Sequence, residues 1–131
     1  MSRRVITFGT FDLFHIGHLN ILQNAASLGD YLIVGISSDE LNYHKKGFFP
    51  TVNFTDRARI IAALACVQQV FKEESLEQKA AYIQRYAADV LVMGDDWAGI
   101  FDIYSDLCEV RYFPRTPEIS TTEIVNKIKE R

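Results

Sequence analysis

Short apolar, β-branched runs alternate along this chain with longer segments in which apolar residues recur every three or four positions. The runs fall at residues 5–8, 31–36, 69–71, 90–93 and 110–113. Each is short and apolar enough to be a strand buried on both faces. Residues 17–28, 55–65, 75–87 and 120–129 carry the helical spacing, and Gly29 with Asp30 forms a stop after the first of them. Ser75 with Gln78, and Ser120 with Glu123, set a hydroxyl three residues before a Glu or Gln, the signature of a capping box. Strands alternating with helices predict an α/β fold, a Rossmann-like doubly wound parallel sheet of about five strands with helices on both faces. Residues 37–54 hold Gly47, Pro50 and several charges without clear periodicity. They read as a long surface loop, and such loops are often functional.

Composition narrows the class. A chain of 131 residues, 48% hydrophobic and 24% charged, has the content of one globular domain spanning residues 1–131. A chain of this size buries roughly two-thirds of its unfolded surface without metal or disulfide staples. The net charge of −3 argues against a general nucleic-acid binder, which carries a basic stripe, and leaves room for a small anionic substrate. Met1-Ser2-Arg3-Arg4 runs directly into Val5-Ile6-Thr7-Phe8. That apolar run is too short for a signal peptide or a membrane span, so a cytoplasmic protein without membrane insertion is expected. Cys66 and Cys108 belong to no CxxC pair or zinc spacing and are expected to be reduced, structural thiols.

Three segments follow strands and therefore lie at the carboxyl edge of the predicted sheet, where open α/β sheets bind ligands. The first, Gly9-Thr10-Phe11-Asp12-Leu13-Phe14-His15-Ile16-Gly17-His18, runs from the first strand into the first helix. A helix start there offers unpaired N–H groups to phosphate. His15 and His18, three apart, can face one phosphate together, and Gly9 and Gly17 admit close approach. Against this stand two other readings, a metal pair and two helix-capping imidazoles. A zinc site wants further ligands, and His44, the remaining histidine, has no supporting spacing. The second segment is Met93-Gly94-Asp95-Asp96-Trp97-Ala98-Gly99, whose carboxylates suit ribose hydroxyls or a magnesium-loaded triphosphate; the plain alternative is a turn with a buried tryptophan. The third, Pro114-Arg115-Thr116-Pro117-Glu118-Ile119-Ser120-Thr121-Thr122, adds an arginine and three hydroxyls to a second helix start. Lys45, Lys46, Arg57, Arg59 and Lys79 form a basic set that a solvated surface would also explain.

The order Gly9-Thr10-Phe11-Asp12, His15-x-Gly17-His18, Arg115-Thr116 and Ile119-Ser120-Thr121-Thr122 resembles the cytidylyltransferase branch of the nucleotidyltransferase superfamily. Within it, the chain is similar along its whole length to the bacterial glycerol-3-phosphate cytidylyltransferases. Leu28-Gly29-Asp30-Tyr31-Leu32, Met93-Gly94-Asp95-Asp96-Trp97 and Glu77-Gln78-Lys79 carry that likeness.

The resemblance implies that CTP and sn-glycerol 3-phosphate are joined to give CDP-glycerol and pyrophosphate, for a glycerol-phosphate-containing surface polymer. It implies that Thr10, Phe11, His15, Ile16, Gly17, His18 and the segment Arg115, Thr116, Pro117, Glu118, Ile119, Ser120 and Thr121 hold CTP. Lys45 and Lys79 would hold the acceptor phosphate, and His15 and His18 would stabilise charge rather than act as nucleophiles. Mg²⁺ would accompany the triphosphate, and the protein would be a homodimer. A second lysine that the family places on CTP falls, by ungapped counting, at Gly47, and Lys46 is its stand-in. The family's glycine before Ile-Ser-Thr-Thr is missing, so Glu118 directly precedes Ile119. Residues 47–55 also differ in length and sequence, and Cys66-Val67-Gln68 replaces the usual Tyr-Val-Asp.

Overall fold

A computed structural model describes residues 2–117 and 119–131. The five predicted strands are all present: β1 (Arg4–Gly9), β2 (Tyr31–Ser37), β3 (Gln69–Glu73), β4 (Val90–Gly94) and β5 (Glu109–Phe113). They form one parallel sheet in the order β3-β2-β1-β4-β5. The helices are α1 (Ile16–Ala26), α2 (Asp39–Lys46), α3 (Phe54–Ala62), α4 (Lys79–Arg85) and α5 (Thr121–Lys129).

Burial on both faces holds for β1, β2 and β4 and follows from the pleat, which turns successive side chains to opposite sides. Val5, Leu32, Val34, Val90 and Val92 pack on one face with Leu22 and Ala25 of α1 and Ile61 of α3. Ile6, Ile33 and Leu91 pack on the other with Tyr82 and Ile83 of α4. The expectation fails for β3 and β5, which are the sheet edges: Gln69 is only half-buried, and Glu109 and Arg111 are exposed. An edge strand has a neighbour on one side alone, so its faces are covered less completely.

Two further expectations are corrected. Residues 37–54 are not a continuous loop, because α2 lies within them. Ser38 Oγ accepts from Leu41 N, acidic Asp39 and Glu40 occupy the first turn, and basic His44, Lys45 and Lys46 occupy the last. Gly47 closes the helix at φ +81°, a left-handed conformation that suits glycine. Apolar periodicity is weak because Leu41 and the polar Asn42 are the only buried residues of α2. The helix expected over 75–87 is a 3₁₀ turn (Leu76–Gln78), capped by Ser75, followed by the shorter α4. Ser120 caps α5 as expected, its Oγ accepting from Glu123 N at 3.1 Å.

The chain reverses direction across the sheet between β1 and β4, which are adjacent although β2 and β3 intervene in sequence. Such a switch point opens a crevice beyond the carboxyl ends of the two strands. The segments that follow β1 and β4 are the first two chemistry-bearing stretches of the sequence. No helix among the described residues is long and apolar enough to cross a membrane.

Candidate active site

A cleft of about 920 Å³ lies at this edge, between the loop after β1, the turn after β4, the end of α2 and the start of α5. The β1–α1 loop is held in a strained shape. Phe11 and Leu13 have φ of 55° and 50°, unusual for residues with a β-carbon. Asp12, which is buried, anchors the loop: its carboxylate accepts from Thr51 N (2.8 Å) and Val52 N (2.9 Å). Its carbonyl accepts from Thr121 Oγ1 at 2.9 Å. One residue thus ties the first loop to the segment before α3 and to the start of α5.

His15 and His18 do cap α1, as one of the alternative readings held. His15 is the N-cap, its Nδ1 accepting from Gly17 N at 3.0 Å, and His18 Nδ1 accepts from His15 N at 3.2 Å. The rings stack with centroids 3.7 Å apart. Capping and ligand binding are compatible here, because an imidazole that accepts at Nδ1 carries its proton on Nε2. Both residues line the cleft, and His15 Nε2 is buried with no hydrogen-bond partner among the described residues. Burial drives the pKa of His18 down to about 4, assisted by His15 and Lys46 and opposed by Asp12. Burial, and then the Arg115 charge, also lowers His15. The pair is therefore a neutral double donor near pH 7.

Gly17 is required by this arrangement. A Cβ there would stand 2.8 Å from His15 Cε1 and 3.4 Å from Ile119 Cγ2. At Gly9 a Cβ would meet the Phe11 ring at 2.8 Å. Both glycines make room first for side chains of the site.

Most of the expected nucleotide residues converge on the cleft: Thr10, Phe11, Gly17, Lys46, Arg115, Thr116, Ile119, Ser120 and Thr121 all line it beside the histidines. Ile16 is exposed and does not line it, nor does Pro117, and Glu118 lies outside the described residues. Two of the four hydroxyls have spent their O–H donors, those of Thr10 and Thr121. Thr10 Oγ1 donates to Asn42, Thr116 Oγ1 accepts from Asn20, Ser120 caps α5 and Thr121 holds Asp12. What remains for an anion is the O–H of Thr116 and of Ser120, which only accept in these bonds, together with backbone N–H at the start of α5 and the Arg115 guanidinium. Arg115 sits 3.4 Å from Asp96 in a pair more than half exposed on both sides, which holds it only weakly.

The basic set divides. Lys45, Lys46 and Lys79 line the cleft. Lys45 Nζ donates to Ser37 Oγ at 2.9 Å, and burial of the ammonium lowers its pKa, with Glu73 opposing. Lys79 is 3% exposed, donates to Glu73 Oε2 at 2.7 Å and lies over the Phe8 ring at 4.3 Å. Arg57, 1% exposed, is instead a structural hub. It donates to the carbonyls of Val52, Thr10 and Ser37 and to Asp39 Oδ1, joining α2, α3 and both loops that frame the cleft. Arg59 is exposed and away from the cleft. Trp97 is not a buried tryptophan: it is half-exposed on the cleft wall, beside Phe101.

Sequence reasoning missed Asn42, Glu73 and Phe101, all of which line the cleft. Asn42 is buried and bridges Thr10 to the carbonyl of Phe48. Its signal, a polar residue on the inner face of α2, was invisible without the helix. Glu73 closes an apolar run and could have been flagged as the carboxyl-end residue of a strand. Among the described residues no group of three or more His, Cys, Asp or Glu could hold a metal ion.

Comparison with known proteins agrees with this geometry. A family model described as cytidylyltransferase-like matches residues 6–127. The chain is 48% identical over 122 residues to the glycerol-3-phosphate cytidylyltransferase of Bacillus spizizenii, covering 93% of this chain and 94% of that one. It is 47% identical to the enzyme of the same name from Bacillus subtilis, covering 96% and 97%. The crystal structure of a lipopolysaccharide core biosynthesis protein from Thermoplasma volcanium shares the fold, with a TM-score of 0.78 at 20% identity over 88% of this chain and 99% of that one. On the family match, the full-length relatives and the stacked histidine pair at the sheet's switch point, the chain belongs to the cytidylyltransferase-like family.

Proposed function

We propose that this protein transfers the cytidylyl group of CTP to sn-glycerol 3-phosphate, releasing pyrophosphate and CDP-glycerol. The observation that carries the reading is the end-to-end match to two Bacillus relatives named for this reaction, in a chain whose own cleft gathers the histidine pair with Lys45, Lys46, Lys79 and Arg115.

In the reaction an oxygen of the acceptor phosphate attacks the α-phosphorus of CTP. The new P–O bond forms as the bond to the pyrophosphate leaving group breaks. The second pKa of a phosphate monoester is about 6, so the nucleophile is already ionised and needs no strong base. Catalysis then rests on alignment and on stabilising charge. His15 and His18 supply Nε2–H donors at fixed positions because their Nδ1 atoms are held by backbone N–H groups. The amide ends of α1 and α5 and the Arg115 guanidinium receive the remaining phosphate charge. Lys45 and Lys79 receive the acceptor phosphate.

Mg²⁺ would enter with the triphosphate rather than in a protein cage. Magnesium is commonly bound by phosphates with one or two carboxylates, and Asp96 is the carboxylate on the cleft rim. The reading is of a cytoplasmic enzyme, since CTP is a cytoplasmic substrate, and of a homodimer, which the family resemblance supports. The product suits synthesis of a glycerol-phosphate-containing surface polymer. The shorter segment before Ile119 bears on the base, and the altered residues 47–55 bear on the acceptor. Product identification by mass spectrometry, with CTP or ATP against glycerol 3-phosphate, phosphoethanolamine and ribitol 5-phosphate, tests both. CDP-glycerol as the dominant product is the expected result; a different dominant product reassigns donor or acceptor.

A further inference from the structure

Among the described residues three carboxylates line the cleft: both oxygens of Asp12 accept backbone N–H groups, and Asp96 stands more than half exposed at the rim in a weak pair with Arg115. Glu73 is different. Its side chain is 1% exposed, its Oε2 accepts from Lys79, and its Oε1 has no hydrogen-bond partner among the described residues. A carboxylate oxygen without a partner on a cleft wall is placed to accept from a ligand hydroxyl.

The sheet explains the position. Ser37 and Glu73 are paired residues at the carboxyl ends of β2 and β3, so their side chains leave the same face side by side. Ser37 holds Lys45 and Glu73 holds Lys79. Two ammonium groups and one carboxylate oxygen are thus presented together. A lysine has three donors, so Lys79 keeps two beyond its bond to Glu73. A phosphate monoester fits the ammonium groups and is repelled by the carboxylate, whereas a hydroxyl on its ester chain is a donor that the carboxylate accepts. Leu76, Trp97, Ile100 and Phe101 supply apolar wall for the carbon chain.

We infer that Glu73 is a specificity-determining residue of the acceptor site, its Oε1 accepting a hydroxyl of a phosphorylated polyol. The inference rests on the proposed acceptor class. It separates Glu73 from a residue that merely neutralises Lys79, because the two roles differ in what they do to selectivity.

The test compares kcat/KM for glycerol 3-phosphate and for n-propyl phosphate, which has the same phosphate and no hydroxyl, in the unaltered enzyme, Glu73→Met and Glu73→Gln. A hydrogen bond to a charged group is worth on the order of 10- to 100-fold, and the unaltered enzyme should prefer the polyol by that factor. Glu73→Met should reduce the preference to near one, and Glu73→Gln, which keeps a neutral acceptor, should restore part of it. Disturbance of Lys79 alone would slow both acceptors equally and leave the ratio unchanged, which would overturn the inference. The unaltered enzyme's own ratio decides the matter should Glu73→Met not fold, since equal use of the two acceptors also overturns it. Activity with neither acceptor would instead remove the proposed acceptor class, and the inference with it.

Discussion

His15 and His18 stack at 3.7 Å between ring centroids, and each gives its Nδ1 to a backbone N–H of the turn that carries them. In the proposed reaction, helix capping and phosphate recognition fall to the same two rings from opposite edges. His18→Ala removes one Nε2 donor and the cap on His15 N. Turnover should fall by roughly 100- to 1,000-fold, as when one preorganised donor is deleted. The stability loss should be about 1 kcal/mol, the size of a lost cap. Steady-state rates and urea melts measure the two effects, and near-normal turnover would contradict the role given to His18.

The depressed pKa of His18 makes a stability prediction with a definite sign. Burial holds it down to about 4 in the folded chain, against 6.5 for a free imidazole. Between those values the unfolded chain binds the proton and the folded chain does not, so stability rises with pH across that window. It is lost as pH falls toward 4, where protonation would also sacrifice the Nδ1 acceptor. His18→Asn keeps a short acceptor that does not titrate, so the slope between pH 4 and 6.5 should flatten in urea midpoints. An unchanged slope would assign the pH dependence to other groups.

Gly17→Ala separates activity from stability. The added methyl meets His15 Cε1 at 2.8 Å and must push the ring from its place. A displacement near 1 Å in a positioned group costs about 100-fold, so kcat/KM should fall on that order. Alanine is the better helix former, but displacing the ring weakens the cap that His15 gives Gly17 N, so the two effects offset and the melting temperature should change little. Full activity in the variant would show that the ring position is not critical.

How far the sequence spoke for this site depends on what kind of signal each residue leaves. The five strands were legible because inner strands are continuous apolar runs, and the switch-point segments were legible because glycines and histidines cluster directly after β1. Helix α2 was not, since two buried positions in eight residues make no stripe. Arg57 read as one charge in a basic set, yet it is 1% exposed and spends its donors on three carbonyls and Asp39. A local reading along the chain cannot place partners that lie 47 and 20 residues away in sequence. The run of hydroxyls before α5 was legible as a cap, and Ser120 can cap through its lone pairs while its O–H stays free to donate.

Arg57→Lys tests the hub. Lysine keeps the charge but cannot reproduce a planar fork that reaches four oxygens. Carbonyls left unpaired in the interior should lower stability by about 2–4 kcal/mol. The loop bearing Thr10 should loosen with it, raising the KM for CTP. A variant with unchanged melting behaviour and KM would show that the bonds of Arg57 are dispensable.

Pyrophosphate release measures cytidylyl transfer to a phosphorylated polyol most directly. Purified protein with CTP, Mg²⁺ and glycerol 3-phosphate should release pyrophosphate in proportion to CDP-glycerol formed, with little release when the acceptor is omitted. Absence of pyrophosphate with that pair, from folded protein that binds CTP, would contradict the account.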